Sequence, residues 1–205
     1  YSTLIADVVS RWEQLKGTDT YFLTGTDEHG QKIAQAAQKA GMAPQQFVDS
    51  FIAAYQKTWH TYEIKYSQFI RTTDPMHVKG VQALVDKLIK QGDIYKAPYH
   101  GWYCTPCETF VTHDVSAKNA PLCPTCQRET VKVQEETYFF KLSAYQDKLL
   151  AYYKKHPDFI TPKERLNEIV SFVESGLKDL SISRATISWG VPFPQDPEHV
   201  VYVWV

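Results

Sequence analysis

The sequence predicts an α/β fold, a parallel sheet with helical crossovers that a smaller unit of different character interrupts. Three observations carry this expectation. Thr20-Tyr21-Phe22-Leu23 is an aromatic and branched apolar run that reads as a buried strand, and it turns through Gly25 into short polar and charged residues. Helical spacing follows at once, with apolar Ile33, Ala36, Ala37 and Ala40, and further helices, a strand and a helix come next, the order of a parallel sheet with crossovers. From Ile94 the character changes, and four cysteines appear in two close pairs.

In chain order, Leu4, Ile5, Val8, Val9 and Trp12 share one broad face and predict a helix from Ser2 to Gln14. The junction Thr24-Gly25-Thr26-Asp27-Glu28-His29-Gly30 then sets a carboxylate and an imidazole between strand end and helix start, where open α/β sheets place their ligands. Asp27 has two readings at this level, a helix cap or a ligand-binding anion. Pro44 stands where a first helical turn begins, ahead of the apolar stripe Phe47, Val48, Phe51, Ile52, Tyr55 and Trp59. Ser67 to Thr72 reads as a strand. Asp74-Pro75 opens a helix with Val81, Leu84, Val85, Leu88 and Ile89 on one side, and Gly92 stops it.

Tyr95, Tyr99, Trp102 and Tyr103 are β-prone, and they lead into Cys104-x2-Cys107, fifteen residues, then Cys123-x2-Cys126. Two residues between sulfurs let a turn point both thiolates at one ion, and two such knuckles complete a tetrahedral zinc site. Disulfides within each pair, or unconnected thiols, are the alternative readings. With no other cysteine in the chain the site is closed, so the zinc is expected to be structural. It would organise an insertion of about residues 99–134 that is poor in apolar residues of its own.

The chain then returns to the main body. Val131, Val133 and Thr137-Tyr138-Phe139-Phe140 suggest strands, Ser143 to His156 a helix, and Pro162 the start of another. Leu180-Ser181-Ile182-Ser183-Arg184 reads as a small polar turn ending in a cation. Arg184 suits a phosphate or carboxylate, and at least as well a plain surface or ion-pair arginine. His199 to Val205 is β-rich. Across the 205 residues, 43% hydrophobic and 14% aromatic content can fill a sizeable core, while a net charge of -1 excludes a global basic field, so any nucleic-acid contact must be local. No run approaches a membrane span and no signal-peptide pattern opens the chain; with paired cysteines, a reducing cytoplasm is the expected compartment.

Thr24-Gly25-Thr26-Asp27-Glu28-His29-Gly30-Gln31-Lys32-Ile33 resembles the signature segment of the methionyl-tRNA synthetases, class I enzymes with a nucleotide-binding α/β catalytic domain. The likeness continues, in order, through the cysteine knuckles, Glu136-Thr137-Tyr138-Phe139-Phe140, Ser181-Ile182-Ser183-Arg184 and Val201-Tyr202-Val203-Trp204. It implies a doubly wound parallel-sheet catalytic domain over residues 1–98 and 135–205, with a zinc-knuckle connective domain over 99–134. It implies further that Asp27 holds the methionine ammonium, that Trp204 lines the amino-acid pocket unless it is an ordinary core aromatic, and that Arg184 lies by the reacting phosphates. His29 stands in the signature as a possible active-site residue or as an anchor of the turn.

The chemistry implied is methionine activation with ATP and magnesium, followed by transfer of the acyl group to the 3′ end of tRNA(Met). No protein nucleophile is needed, so catalysis is positioning and charge stabilisation. The family's His-x-Gly-His and Lys-Met-Ser-Lys-Ser segments, which contact the phosphates, are both absent from these 205 residues. The chain is therefore expected to be an internal fragment of such a catalytic domain, inactive on its own. The alternative from another class is a non-enzymatic zinc-ribbon module that binds nucleic acid or protein, against which the near-neutral charge and the large zinc-free portion argue.

Overall fold

The computed structural model describes residues 1–107, 109–111 and 120–203. Helix α1 (Ser2–Leu15) leads to strand β1 (Leu23–Thr26), helices α2 (Gln31–Lys39) and α3 (Pro44–Thr61), strand β2 (Gln68–Arg71) and helix α4 (Pro75–Lys90). The two strands pair in parallel, from Leu23 opposite Gln68 to Thr26 opposite Arg71, which the intervening helical crossover makes possible. Gly25 is required by this pairing, since a Cβ there would sit 1.9 Å from the Ile70 carbonyl oxygen.

Two sequence expectations are corrected here. The run ending at Leu23 is not a buried strand: only Phe22 is buried, with Tyr21 and Leu23 exposed, because successive residues of an extended chain face opposite ways. Helix α1 forms as expected, yet it seats by its polar residues Asp7 and Ser10, while Ile5, Val8, Val9 and Trp12 are exposed. The Asp7 carboxylate accepts from Arg11 Nε at 2.7 Å one turn on and from the Lys65 backbone N–H at 2.8 Å, 58 residues along the chain.

The next strands are antiparallel. β3 (Ile94–Cys104), β4 (Thr109–Val111) and β5 (Val131–Phe140) precede a 3-10 turn (Leu142–Tyr145) and the adjacent helices α5 (Gln146–Lys155) and α6 (Lys163–Glu174). Four short or medium strands follow: β6 (Leu180–Ser181), β7 (Ser183–Arg184), β8 (Pro192–Phe193) and β9 (Asp196–Val201). They form one sheet in the order β4-β3-β5-β6 and another in the order β7-β9-β8. The β3–β5 ladder runs from Ile94 opposite Phe140 to Tyr103 opposite Val131, so it passes through both expected insertion boundaries. The core lies where α4 meets these sheets: Val85 and Ile94 pack with Ile182, Val191, Phe193 and Val201.

The polar turn expected at 180–184 is instead two strands joined at Ile182, and Ser181, Ile182, Ser183 and Arg184 are all buried. Ile182 enters the core while the serines bond across to β5, so a segment of polar composition is interior structure. Among the described residues no helix is long and apolar enough to cross a membrane.

Candidate functional site

The turn after β1 is fixed by its middle residue. Glu28, 3% exposed, accepts from Arg71 Nε at 2.8 Å and Nη2 at 3.0 Å, and from the Thr26 and Thr73 hydroxyls at 2.5 Å each. Burial would raise its carboxyl, but the hydrogen bonds from Arg71, then Thr26 and Thr73, override that and hold it below the usual range. The Glu28 carbonyl also accepts from Trp189 Nε1 at 2.6 Å, while the Gly30 N–H donates to the Trp189 carbonyl at 3.3 Å. The segment before β8 is thus clamped onto the turn after β1.

Removing one side of this pair has a defined consequence. Arg71→Gln is expected to destabilise the fold by about 3 kcal/mol, as stranding one partner of a buried ion pair does, and urea unfolding at pH 7 measures it. Glu28 is depressed in the folded state, so its contribution is present above the ordinary value of 4.5 and is lost as pH falls through the folded one. The gap between parent and Arg71→Gln should therefore shrink in acid.

Asp27 and His29 flank Glu28 and point elsewhere. Helix α2 is capped at Gly30, φ 103°, with no side chain bonded to its end, so Asp27 is not its cap. Asp27 is an exposed residue, yet its carboxyl is raised, first by desolvation, with the His29 backbone N–H and His77 pulling the other way and Glu28 adding to the rise. His29 is lowered, chiefly by burial, and its ring meets Trp189 edge-on at 5.2 Å. Asp27, His29, Thr72, His77, Tyr202 and Val203 share the wall of a cavity of about 60 Å³. A larger, mainly apolar cavity of about 250 Å³ lies on the α3 side of Asp27, against Ile33, Phe47, Phe51 and Tyr55.

Arg184 reaches the same neighbourhood from β7. It lines a small cavity with His29, Trp189, Tyr103 and Tyr202, and its guanidinium carbon lies 4.0 Å from the centre of the Tyr202 ring. Its Nη1 donates to the Ser183 carbonyl at 2.6 Å and to the Ser181 hydroxyl at 2.9 Å. Burial lowers this group from its ordinary value, with the tyrosines opposing; an arginine stays charged regardless. The fold thus brings Asp27, His29 and Arg184 around Tyr202. Trp204 lies outside the described residues. Sequence reasoning assigned no role to Trp189, His77 or Tyr103, single residues far along the chain that only the tertiary fold brings here.

The cysteines form a separate centre at the far end of β3. The sulfurs of Cys104, Cys107, Cys123 and Cys126 all lie within 4.8 Å of one another, none is in a disulfide, and Cys104 and Cys123 are fully buried. Separations of 3.5 Å for Cys104–Cys126 and 3.8 Å for Cys107–Cys123 match the edges of a tetrahedron with bonds of about 2.3 Å. The backbone N–H of Cys126 pushes the Cys123 thiol down to about 6, against burial and with the Thr125 N–H adding. Cys104 is raised, first by burial, and Cys107 is pushed up to about 12, first by its bond with Cys126. Four thiols crowding one point resist losing their protons together, which a cation at the centre would relieve. These residues can hold one metal ion. Residues 112–119 of the same segment lie outside the described part.

Comparison with known proteins shows what the whole chain is similar to. The model of the family described as tRNA synthetases class I (M) matches residues 1–133 and 116–205. The methionine–tRNA ligase of Thermotoga maritima is 52% identical over 207 aligned positions, covering 100% of this chain and 33% of that protein. That of Caldanaerobacter subterraneus is 51% identical, covering 100% of this chain and 32% of the relative. The chain thus spans about a third of the length of the curated relatives it matches. Among solved structures, Mycobacterium tuberculosis methionyl-tRNA synthetase bound by methionyl-adenylate superposes with a TM-score of 0.88 at 41% identity, covering 98% of this chain and 40% of that one. Its ligand-free form gives a TM-score of 0.78 at 38% identity, covering 100% of this chain and 39% of that one.

Proposed function

Because the chain belongs to the family of tRNA synthetases class I (M), we propose that its full-length protein is a methionine–tRNA ligase. It would join methionine to ATP as methionyl-adenylate and pass the acyl group to the 3′ end of tRNA(Met). The observation that carries this reading is Asp27, a carboxylate that caps no helix and lines a cavity with His29 and Tyr202. A carboxylate that is partly desolvated gains from a cation brought to it, and the α-ammonium of an amino acid is such a cation.

The remaining roles follow from position. Arg184 is assigned to the phosphates, where a fixed cation stabilises charge as pyrophosphate leaves with magnesium. Trp204, two residues beyond Tyr202, is assigned to the methionine pocket, where an aromatic wall suits a thioether. His29 packs on Trp189, which fits an anchor of the turn at least as well as a substrate contact. Residues 1–98 and 135–205 are assigned to a doubly wound catalytic domain and 99–134 to a connective domain, with the cytoplasm as the place of action. Methionine-dependent ATP–pyrophosphate exchange and charging of tRNA(Met) by the full-length protein test the whole reading. Exchange driven by another amino acid, or none, overturns it.

The metal is assigned as a structural zinc on Cys104, Cys107, Cys123 and Cys126. All four positions are protein sulfurs, so zinc there would supply folding energy to the knuckles and no open site for chemistry. Elemental analysis of the reduced protein is expected to give one zinc per chain, and Cys123→Ser to lose it while the α/β portion keeps its circular dichroism. Absent zinc, or disulfides within the pairs, refutes the assignment.

A further inference from the structure

Arg184 is held by oxygens that a residue outside its own segment controls. Thr137 on β5 is fully buried, and its Oγ1 lies 2.9 Å from the Ser181 hydroxyl, 2.8 Å from the Ser183 carbonyl oxygen and 3.1 Å from the Ser183 hydroxyl. Arg184 Nη1 uses two of these same atoms, the Ser183 carbonyl at 2.6 Å and the Ser181 hydroxyl at 2.9 Å. The two serines belong to different sheets, one through β6 and one through β7, each strand only two residues long. Thr137 ties the pair together at the joint.

The protons can be followed through the cluster. A guanidinium only donates, so the Ser181 oxygen accepts from Arg184. The Ser181 proton is then left for Thr137 Oγ1, and the Thr137 proton goes to the Ser183 carbonyl, the other anchor of Arg184. The Ser183 hydroxyl takes the Tyr138 N–H at 2.9 Å. Nη1 also lies 3.4 Å from the Ser181 carbonyl oxygen, but the two nearer oxygens that aim the cation are both oriented by one hydroxyl on β5.

We infer that Thr137 is a positioning residue for the reaction, acting through Arg184. The inference rests on the reading of Arg184 as the cation at the phosphates. A residue that only filled space there would be replaceable by valine, which has nearly the same shape and no hydroxyl. A positioning residue would not, because a misplaced charge-stabilising group costs rate even when the fold is intact.

The test is pyrophosphate exchange by the full-length protein carrying T137V, T137S, R184K, or T137V with R184K, each checked for folding by its melting curve. T137V should lower kcat about 10- to 100-fold with the KM for methionine unchanged. T137S, which keeps the hydroxyl, should stay close to the parent. In the R184K background T137V should cost nothing further, because the group it positions is already gone. Parental kcat in T137V, or the same loss in both backgrounds, overturns the inference. S181A, which deletes the hydroxyl shared by the two side chains, is read in the same way if T137V does not fold. Parental kcat in R184K removes the role of Arg184 and this inference with it, whereas a parent that performs no exchange overturns the proposed function itself.

Discussion

Asp27→Asn in the full-length protein is expected to raise the KM for methionine by about 100-fold, while leaving the melting temperature close to the parent. Asn keeps the shape and an acceptor oxygen but removes the charge. A hydrogen bond to a charged group is worth up to about 3 kcal/mol, and each 1.4 kcal/mol is about a factor of ten. Loss of a helix cap would instead cost about 1 kcal/mol of stability, and α2 has no side-chain cap to lose. Desolvation already raises the Asp27 carboxyl in the free protein, so removing its charge does not penalise folding. The same shift gives a pH dependence. Methionine binding should weaken as the solution is acidified through a value above the ordinary 3.8, and Asp27→Asn should abolish that dependence. Parental methionine kinetics in Asp27→Asn would overturn the role, and binding kinetics across pH 4 to 8 would check the profile.

Which parts of this molecule could be read from sequence follows from the range of the forces involved. The helix over Pro44–Thr61, the strand at Gln68–Arg71 and the helix from Pro75 are set by local periodicity, proline and a glycine stop, and they form within a residue or two of expectation. The cysteine cluster was legible for a similar reason, since two-residue spacing within each pair dictates how the sulfurs converge. What was not legible is long-range. Glu28 sits inside a motif, but its partner Arg71 is 43 residues away and bonds it only because β1 and β2 align in parallel. Ser181 and Ser183 look like turn residues in isolation, and they are interior because Thr137, 44 and 46 residues earlier, satisfies their hydroxyls. Helix α1 is a further case: a buried carboxylate, Asp7, holds it from its polar side through the backbone of Lys65, 58 residues away.

Arg184→Lys is expected to lower kcat for adenylate formation by about 100-fold in the full-length protein, with little change in the KM for methionine. Removing one donor that stabilises developing charge typically costs about 3 kcal/mol, or roughly two to three decades of rate. Lysine keeps the positive charge, so the loss tests geometry and not charge alone. Arg184 anchors Nη1 on Ser183 and Ser181 and sets its guanidinium carbon 4.0 Å from the Tyr202 ring centre, two restraints that together aim the guanidinium fork. Lysine has a single nitrogen to serve both as anchor and as substrate contact. If it bonds to the serine oxygens it draws back from the phosphates, and if it reaches out the Ser181 hydroxyl loses its cationic donor in a buried site and the Ser183 carbonyl keeps only Thr137 of the two side chains that bond it. Either outcome separates from the Asp27 variant by kinetics, since Asp27→Asn acts on methionine and Arg184→Lys on the step that breaks the phosphate bond. Steady-state exchange with methionine and ATP varied independently makes the distinction. A lysine variant with parental kcat would return Arg184 to a purely structural role, the buried cation that joins β7 to the aromatic wall of Tyr202 and Tyr103.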